Sequence, residues 1–386
     1  MNRSIVSILV LLAAACGDNH GSQPDAGDTG DGMPADAAVP RPRAIAVAGD
    51  FMSPGTGIVS RLDIDNLEMH QNLVQGAAQG DPVVRQADDK LYIVNRYGSN
   101  NVTILDASTL QLVEQISTGA DSNPQDVAVV GDKLYVPATG TAGVVVLTSG
   151  STDTTTIDLS ALDTMGMNDG KPDCVSAYAI GTKVYVACAM LDNFAAVEVG
   201  KIAVIDSTTD TLITSVAMNY KNPYGFFVRA PETSTYTGDL LIGSAPSLTA
   251  YTAGCLERVS TGDTPSVGCG PTNQQLGGFA NKLAIADGGD TLYVAIGTYD
   301  ASFMNPTGVL RALDLATGTL ADAPISATDE LVIDVAACPG GDVVAMDQTL
   351  SATGLRVWRG QTERTTEALS IGLPPTVNGL VCYDAL

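Results

Sequence analysis

Residues 90–136 read KLYIVNRYGSNNVTILDASTLQLVEQISTGADSNPQDVAVVGDKLYV. Four short β-rich runs follow one another here: KLYIV (90–94), NNVTILDAST (100–109), QLVEQIST (111–118) and NPQDVAVV (123–130). The last of them meets the next KLYV through Gly131-Asp132, a dipeptide that favours a tight hairpin turn between β-branched runs. The order then recurs: KLYVPAT (133–139), AGVVVLTS (142–149) and TTTIDLS (154–160). One unit is therefore four strands joined by short turns. Asp106, Asp206 and Asp314 close third strands, with Thr109, Thr209 and Thr317 three residues on. An Asp there can accept hydrogen bonds from the backbone ahead of it and start the turn, so these are read as turn residues.

Working outward, the apolar heart of the unit returns as AIAVA (44–48), KVYV (183–186), DLLIG (239–243), TLYVA (291–295) and DVVAM (342–346). The spacing is about fifty residues, a period that marks solenoids, propellers or arrays. Seven repeats of four short strands predict an all-β, seven-bladed β-propeller of antiparallel blades over residues 44–386. The first unit begins at what should be a second strand. The chain ends in PPTVNGLVCYDAL (374–386), which matches the start of a unit. The C-terminal strand is thus expected to complete the N-terminal blade and remove a free sheet edge. The stretch 222–270 is the least regular unit.

The run 90–136 resembles the repeat of YVTN-type propellers, with Tyr-Ile-Val-Asn (92–95) in place of the eponymous motif, then a V-x-V-I-D-like strand, then a G-x-x-P-x-x-V-A-V-like strand. The second to fourth units match well, the fifth and seventh weakly. The resemblance implies a propeller fold, with relatives among surface and periplasmic proteins and similar propellers among enzymes. Its motifs carry no chemistry.

The chain has 386 residues, with 43 Asp and Glu against 19 Lys and Arg. A formal charge of −24 argues against nucleic-acid partners and against charge-driven binding to an acidic membrane. Residues 1–16, MNRSIVSILVLLAAAC, place Arg3 before an apolar run from Ile5 to Ala15. That run is too short to span a bilayer and has the anatomy of a secretory signal. Ala13-Ala14-Ala15-Cys16 resembles a bacterial lipobox, which implies that Cys16 is lipidated and becomes the mature N-terminus; an ordinary secretory signal with a chance Cys is the alternative. Residues 17–43 are rich in Asp, Gly and Pro and cannot bury enough apolar surface to fold, so they are read as a disordered tether. The expected address is export and lipid anchoring to the cell envelope, at the outer membrane, on its periplasmic or surface face. The membrane is engaged only through that lipid.

Six further cysteines remain, and an even number in an exported chain points to disulfides. Cys255 and Cys269 flank a hairpin-like segment around Gly262. Cys338 and Cys382 sit at equivalent positions in the last and first blades, where a bond would latch the ring. Cys174 and Cys188 fall on neighbouring strands one residue out of register, so their pairing needs a bulge or a longer turn. Free buried thiols are the alternative.

Aligning the innermost strands puts Asp126, Ser176, Gly225, Asn281, Asp334 and Asn378 at one repeat position facing the axis, with Val84 or Arg85 in the second blade. Such a polar ring could hold a hard cation such as Ca2+ through oxygens, or a polar ligand. The blander reading is that these side chains cap local backbone groups. Arg85 is either an anion contact or a partner of Asp126. The loop Asp163–Asp173 carries acidic residues without the spacing of a twelve-residue calcium loop. Only two histidines exist: His20 in the tether and His70 on an outermost strand. That starves imidazole-dependent catalysis. Trp358 is the sole Trp and is expected between blades. No catalytic residue is singled out, and the reading leans away from an enzyme. The expected role is a binding or scaffold module for a protein or a polar small ligand at a propeller face. An envelope hydrolase or lyase using axial carboxylates, assisted by Ca2+, is the alternative.

Overall fold

The computed structural model describes residues 40–53, 55–164, 169–262 and 264–385. Residues 1–39, which include the expected secretory signal with Cys16, His20 and most of the expected tether, lie outside them, as do residues 165–168.

Alternation of β-branched and small residues, broken by Gly-rich turns, builds seven four-stranded antiparallel sheets among the described residues. In each sheet the strands run in sequence order from the inside outward, with one exception. Blade 1 has the order Glu68–His70, Ile58–Asp63, Arg41–Ala48, Leu380–Ala385 from outside to inside. The molecule is a seven-bladed β-propeller. Its C-terminal strand closes the ring by pairing antiparallel with the N-terminal one, from Arg41 opposite Ala385 to Ala46 opposite Leu380. The ordered sheet begins at Arg41 rather than residue 44. Arg41, Pro42 and Arg43 find partners in Ala385, Asp384 and Tyr383, which a reading of local composition does not register.

Blades hold one another through apolar faces. Seven hydrophobic clusters lie in sequence around the ring, one at each blade junction. The junction of blades 7 and 1, where Val344 and Leu355 meet Ala44, Leu62 and Leu380, is built like the others. Trp358 is buried between blades 6 and 7, against Leu310, Ala295 and Val332. His70 is on the outermost strand of blade 1, with its ring nitrogen 3.1 Å from Asp63. Blade 5 is irregular, with its inner-strand pairing broken between Tyr224 and Val228.

The three predicted disulfides are present. Cys174 lies opposite Cys188 because a bulge follows it: the pairing shifts between Cys174 and Ser176. Cys255 and Cys269 join the two outer strands of blade 5. Cys338 and Cys382 join the inner strands of the last and first blades beside the closure.

Turn residues behave as their chemistry dictates. Asp106 accepts from the backbone N–H groups of Ser108 and Thr109, and Asp314 from that of Thr317. Asp206 uses Thr208 rather than Thr209. Donation from the Thr109 and Thr208 hydroxyls, together with these backbone bonds, holds Asp106 and Asp206 below the usual carboxylate range, and the Thr317 backbone does the same for Asp314. Asn95, the fourth residue of Tyr-Ile-Val-Asn, is buried. It donates to Ala77 and Asn101 and accepts from the backbone of Gln79, tying the preceding inter-blade loop to blade 2.

Candidate functional site

Inner-strand register breaks at the same repeat position in blades 4 to 7, next to residues 175, 225, 281 and 333. A bulge adds a residue, bends the strand and re-aims a side chain. In blades 4 and 7 it sets Ser176 and Asp334 beside the axis. In blades 5 and 6 the residue that reaches the axis is one later than the alignment placed it, Phe226 rather than Gly225 and Lys282 rather than Asn281. The Asn281 side chain lies against Gly297 of the second strand instead. The bulge also frees backbone N–H groups there, which must find acceptors because they are buried.

Those acceptors are the axial side chains, and they act across blades. Asp126 of blade 3 accepts from Val127 and from Ala177 of blade 4, at 2.8 and 3.0 Å. Ser176 of blade 4 donates to Asp126 at 2.9 Å and accepts from Phe227 of blade 5 at 3.0 Å. Asp334 of blade 7 accepts from Val335 and from Leu380 of blade 1. At the step from blade 1 to blade 2 the acceptor is main chain: the Asn378 backbone carbonyl accepts from Val84, and the Asn378 side-chain oxygen takes no part. The polar ring therefore stitches successive blades together.

Arg85 completes it. Its Nε and Nη2 each donate to one oxygen of Asp126 at 2.7 Å, a bidentate pair on a fully buried carboxylate. Five donors converge on Asp126, which satisfies its lone pairs. Two residues absent from the sequence reading fill the middle. The Phe226 ring lies under the Arg85 guanidinium at 3.9 Å and the Lys282 ammonium at 4.5 Å, both within cation–π range. Gly225, at φ +79°, permits this: a side chain there would strike the Asn281 carbonyl 2.6 Å away, so only glycine lets blade 5 approach blade 6 so closely. Lys282 was legible in principle as the one charged residue of the buried run FANKLAI (279–285).

Lys282 and Asp334 are a buried pair, 3.8 Å apart. Burial raises the Asp334 carboxyl to about 6, against the pull of Lys282 and the backbone amides. Burial likewise lowers the Lys282 ammonium. A carboxyl raised in the folded state holds a proton there that the unfolded chain has released, between its ordinary value of 3.8 and about 6. Its contribution to stability is therefore lost as pH rises through that window. Asp334→Asn, which cannot titrate, should gain in unfolding midpoint relative to the parent between pH 4 and pH 6.5. A constant difference across that range would place the titration elsewhere. One mouth of the axis, at the ends of the inner strands, opens into a cavity of about 220 Å³ lined in part by Arg85 and Lys282.

A larger concavity, about 750 Å³, lies on the opposite face, where inner strands begin and second strands turn into third strands. Loops of blades 1 to 4 form it. Blade 2 contributes Arg96 and Tyr97, with Arg96 bonded to Asp81 at 2.6 Å. The Asp121–Gln125 loop precedes blade 3, and Asp169, Lys171 and Asp173 precede blade 4. Asp163 accepts from the Gly170 backbone and shapes that last loop. Asp173 accepts from the Leu191 backbone at 2.9 Å. Burial, with repulsion from Asp169 and Asp163, raises its carboxyl to about 6. Blade 4 also raises a small hairpin in which Asp192 pairs with Ala195 around Asn193 and Phe194. Both turn residues have positive φ, which is rare for a bulky side chain, and Phe194 is 95% exposed. Across the cleft Phe51 stacks on Tyr97 with centroids 4.8 Å apart.

No family model and no curated protein sequence matches this chain. Solved structures do resemble it. The propeller domain of Myceliophteria thermophila Cps50 (Swd1) is 12% identical with a TM-score of 0.57, over 81% of this chain and 96% of that one. Apo AztD from Citrobacter koseri is 12% identical with a TM-score of 0.53, over 90% and 99%. The Niastella koreensis GH74 enzyme is 14% identical with a TM-score of 0.50, over 76% of this chain and 45% of that one. At these identities the likeness is one of fold. One of the proteins sharing it is an enzyme.

Proposed function

We propose that this chain is an exported lipoprotein, anchored through Cys16 and a tether of residues 17–39 to the bacterial outer membrane, whose propeller serves as a binding or scaffold module. Its working surface is the loop face around the cleft of blades 1 to 4. The distribution of exposed apolar side chains carries this reading. Phe51, Met52, Tyr97, Phe194, Phe303, Met304 and Leu350 all sit on loops between second and third strands, so all occupy one face. Exposed apolar side chains gathered on one face mark an interaction site; the other exposed ones, Leu73, Leu112, Val113, Leu212 and Ile213, lie on or just after outermost strands. Three disulfides support maturation in an oxidising compartment. Among the described residues no helix is long and apolar enough to cross a membrane, which fits attachment by lipid.

The axial ring serves this module as structure. Asp126 and Asp334 are fully buried, and Arg85 and Lys282 stand where a cation would have to sit. A photo-crosslinker at Tyr97 or Phe194 should give adducts in the intact envelope, while one at Ile213 on the outer strand of blade 4 should not. Equal labelling at all three positions would remove the assignment to the loop face. In detergent partitioning, the full chain should enter the detergent phase and Cys16→Ser the aqueous phase. Identical partitioning of the two would remove the lipid anchor.

A further inference from the structure

The cleft on the loop face has a chemistry of its own. Its lining carries Asp81, Asp121, Asp169, Asp173 and Asp192 against Arg96 and Lys171. Arg96 is neutralised by Asp81, so four carboxylates face a single lysine. Aromatic faces stand on both sides: the stacked Phe51 and Tyr97 on blades 1 and 2, and Phe194 at the hairpin tip of blade 4. Aromatic faces attract cations, and carboxylates nearby add to the attraction. The volume suits one or two side chains or a small ligand. The net charge of −24 supplies a long-range field of the same sign.

We propose that this cleft receives a lysine or arginine side chain on an extended segment of a partner protein, held between the Tyr97 and Phe194 faces over Asp173 and Asp192. The proposal rests on the binding-module reading above and names its ligand class. A protein segment is favoured over a free polyamine because further exposed apolar side chains stand on the same face outside the cleft. Met52, Phe303, Met304 and Leu350 on the same face would otherwise stay unpaired, and a segment with apolar residues beside its cation can cover them. An anionic lipid surface is disfavoured by the carboxylates themselves.

The test uses the full chain at pH 7.5 and low salt, titrated calorimetrically with an unstructured nonapeptide carrying two lysines flanked by leucines. The comparison probes are the same peptide acetylated on both lysines, spermidine, calcium chloride and phosphatidylglycerol vesicles. The lysine peptide should bind, and acetylation should weaken it at least fivefold. Tyr97→Ala and Phe194→Ala should each weaken it about two- to fivefold, the range of an exposed cation–π contact. Both side chains are exposed, so folding is not at stake. Asp153→Asn, on an exposed turn of the other face, should have no effect.

Binding should also fall from pH 7.5 to pH 5. The ionisable groups around Asp173 are Asp163, Asp169 and Lys171 on its own loop, Asp192 on the packed hairpin and Asp121 on the neighbouring loop. Protonation of Asp173 removes charge from the floor of the cleft, and Asp173→Asn should flatten the profile. Equal affinity for the acetylated peptide would overturn the proposal. So would spermidine or calcium binding as tightly as the peptide, or preferential binding to the vesicles. Adducts at Phe194 in the envelope with no peptide binding would reject the cationic ligand and leave the binding face standing. No adducts at either cleft position would reject the binding face itself.

Discussion

Asp126→Ala should cost this protein about 3–5 kcal/mol of unfolding free energy, measured by denaturant titration. The carboxylate is fully buried and collects both arms of Arg85, the Ser176 hydroxyl and two backbone amides. Removing it leaves a guanidinium without its counter-charge and two buried N–H groups without an acceptor. Breaking a buried pair from one side is far costlier than replacing both members with well-packed apolar groups. A double variant, Asp126→Ala with Arg85→Leu, should therefore recover part of the loss. The backbone amides would still lack their acceptor, so recovery should be incomplete. A change below about 1 kcal/mol for Asp126→Ala would mean that the inter-blade stitching at the axis contributes little.

The second large effect concerns closure. Removing residues 380–386 deletes the inner strand of blade 1, exposes the paired edge of Arg41–Ala48 and strips Leu380 from the core between blades 7 and 1. It also removes Cys382 and its disulfide. The truncated chain should lose the cooperative unfolding transition seen by circular dichroism and be degraded by a protease that spares the parent. Cys382→Ser isolates the covalent part. The bond closes a span of 44 residues, and by loop entropy its loss should cost about 4 kcal/mol. A truncated chain that unfolds like the parent would show that the ring does not depend on its last strand.

Much of this was legible in the chain because the repeat is local. Each strand announces itself by alternation and each turn by Gly and Asp, and a period near fifty residues sets the architecture. Cys174 is instructive: its one-residue offset from Cys188 required a bulge, and the bulge exists. The aligned Asp126, Ser176 and Asp334 were visible, and Arg85 was open as a partner of Asp126, but the bonds from these side chains to the backbone of the next blade were not. Asp126 joins blade 3 to Arg85 of blade 2 and Ala177 of blade 4, contacts set by which strand starts lie together around the axis. Phe226 gave no signal because an aromatic in an irregular strand reads as ordinary core. The cleft escaped for the same reason. Its residues come from separate loops of four blades, each of which reads as a solvated turn on its own.

The amino-acid order by itself determined seven units, their four strands, the exchange of the last strand into the first blade and which cysteines stand near enough to pair. These follow from hydrogen-bond periodicity and short-range turn chemistry, which act within a few dozen residues or repeat from one unit to the next. Tertiary structure alone decided that the axis is filled by a phenylalanine under two cations, and that acids and aromatics from four blades face one another across a cleft. Convergence of that kind depends on how the blades are arranged around the ring, a long-range property that no single repeat contains.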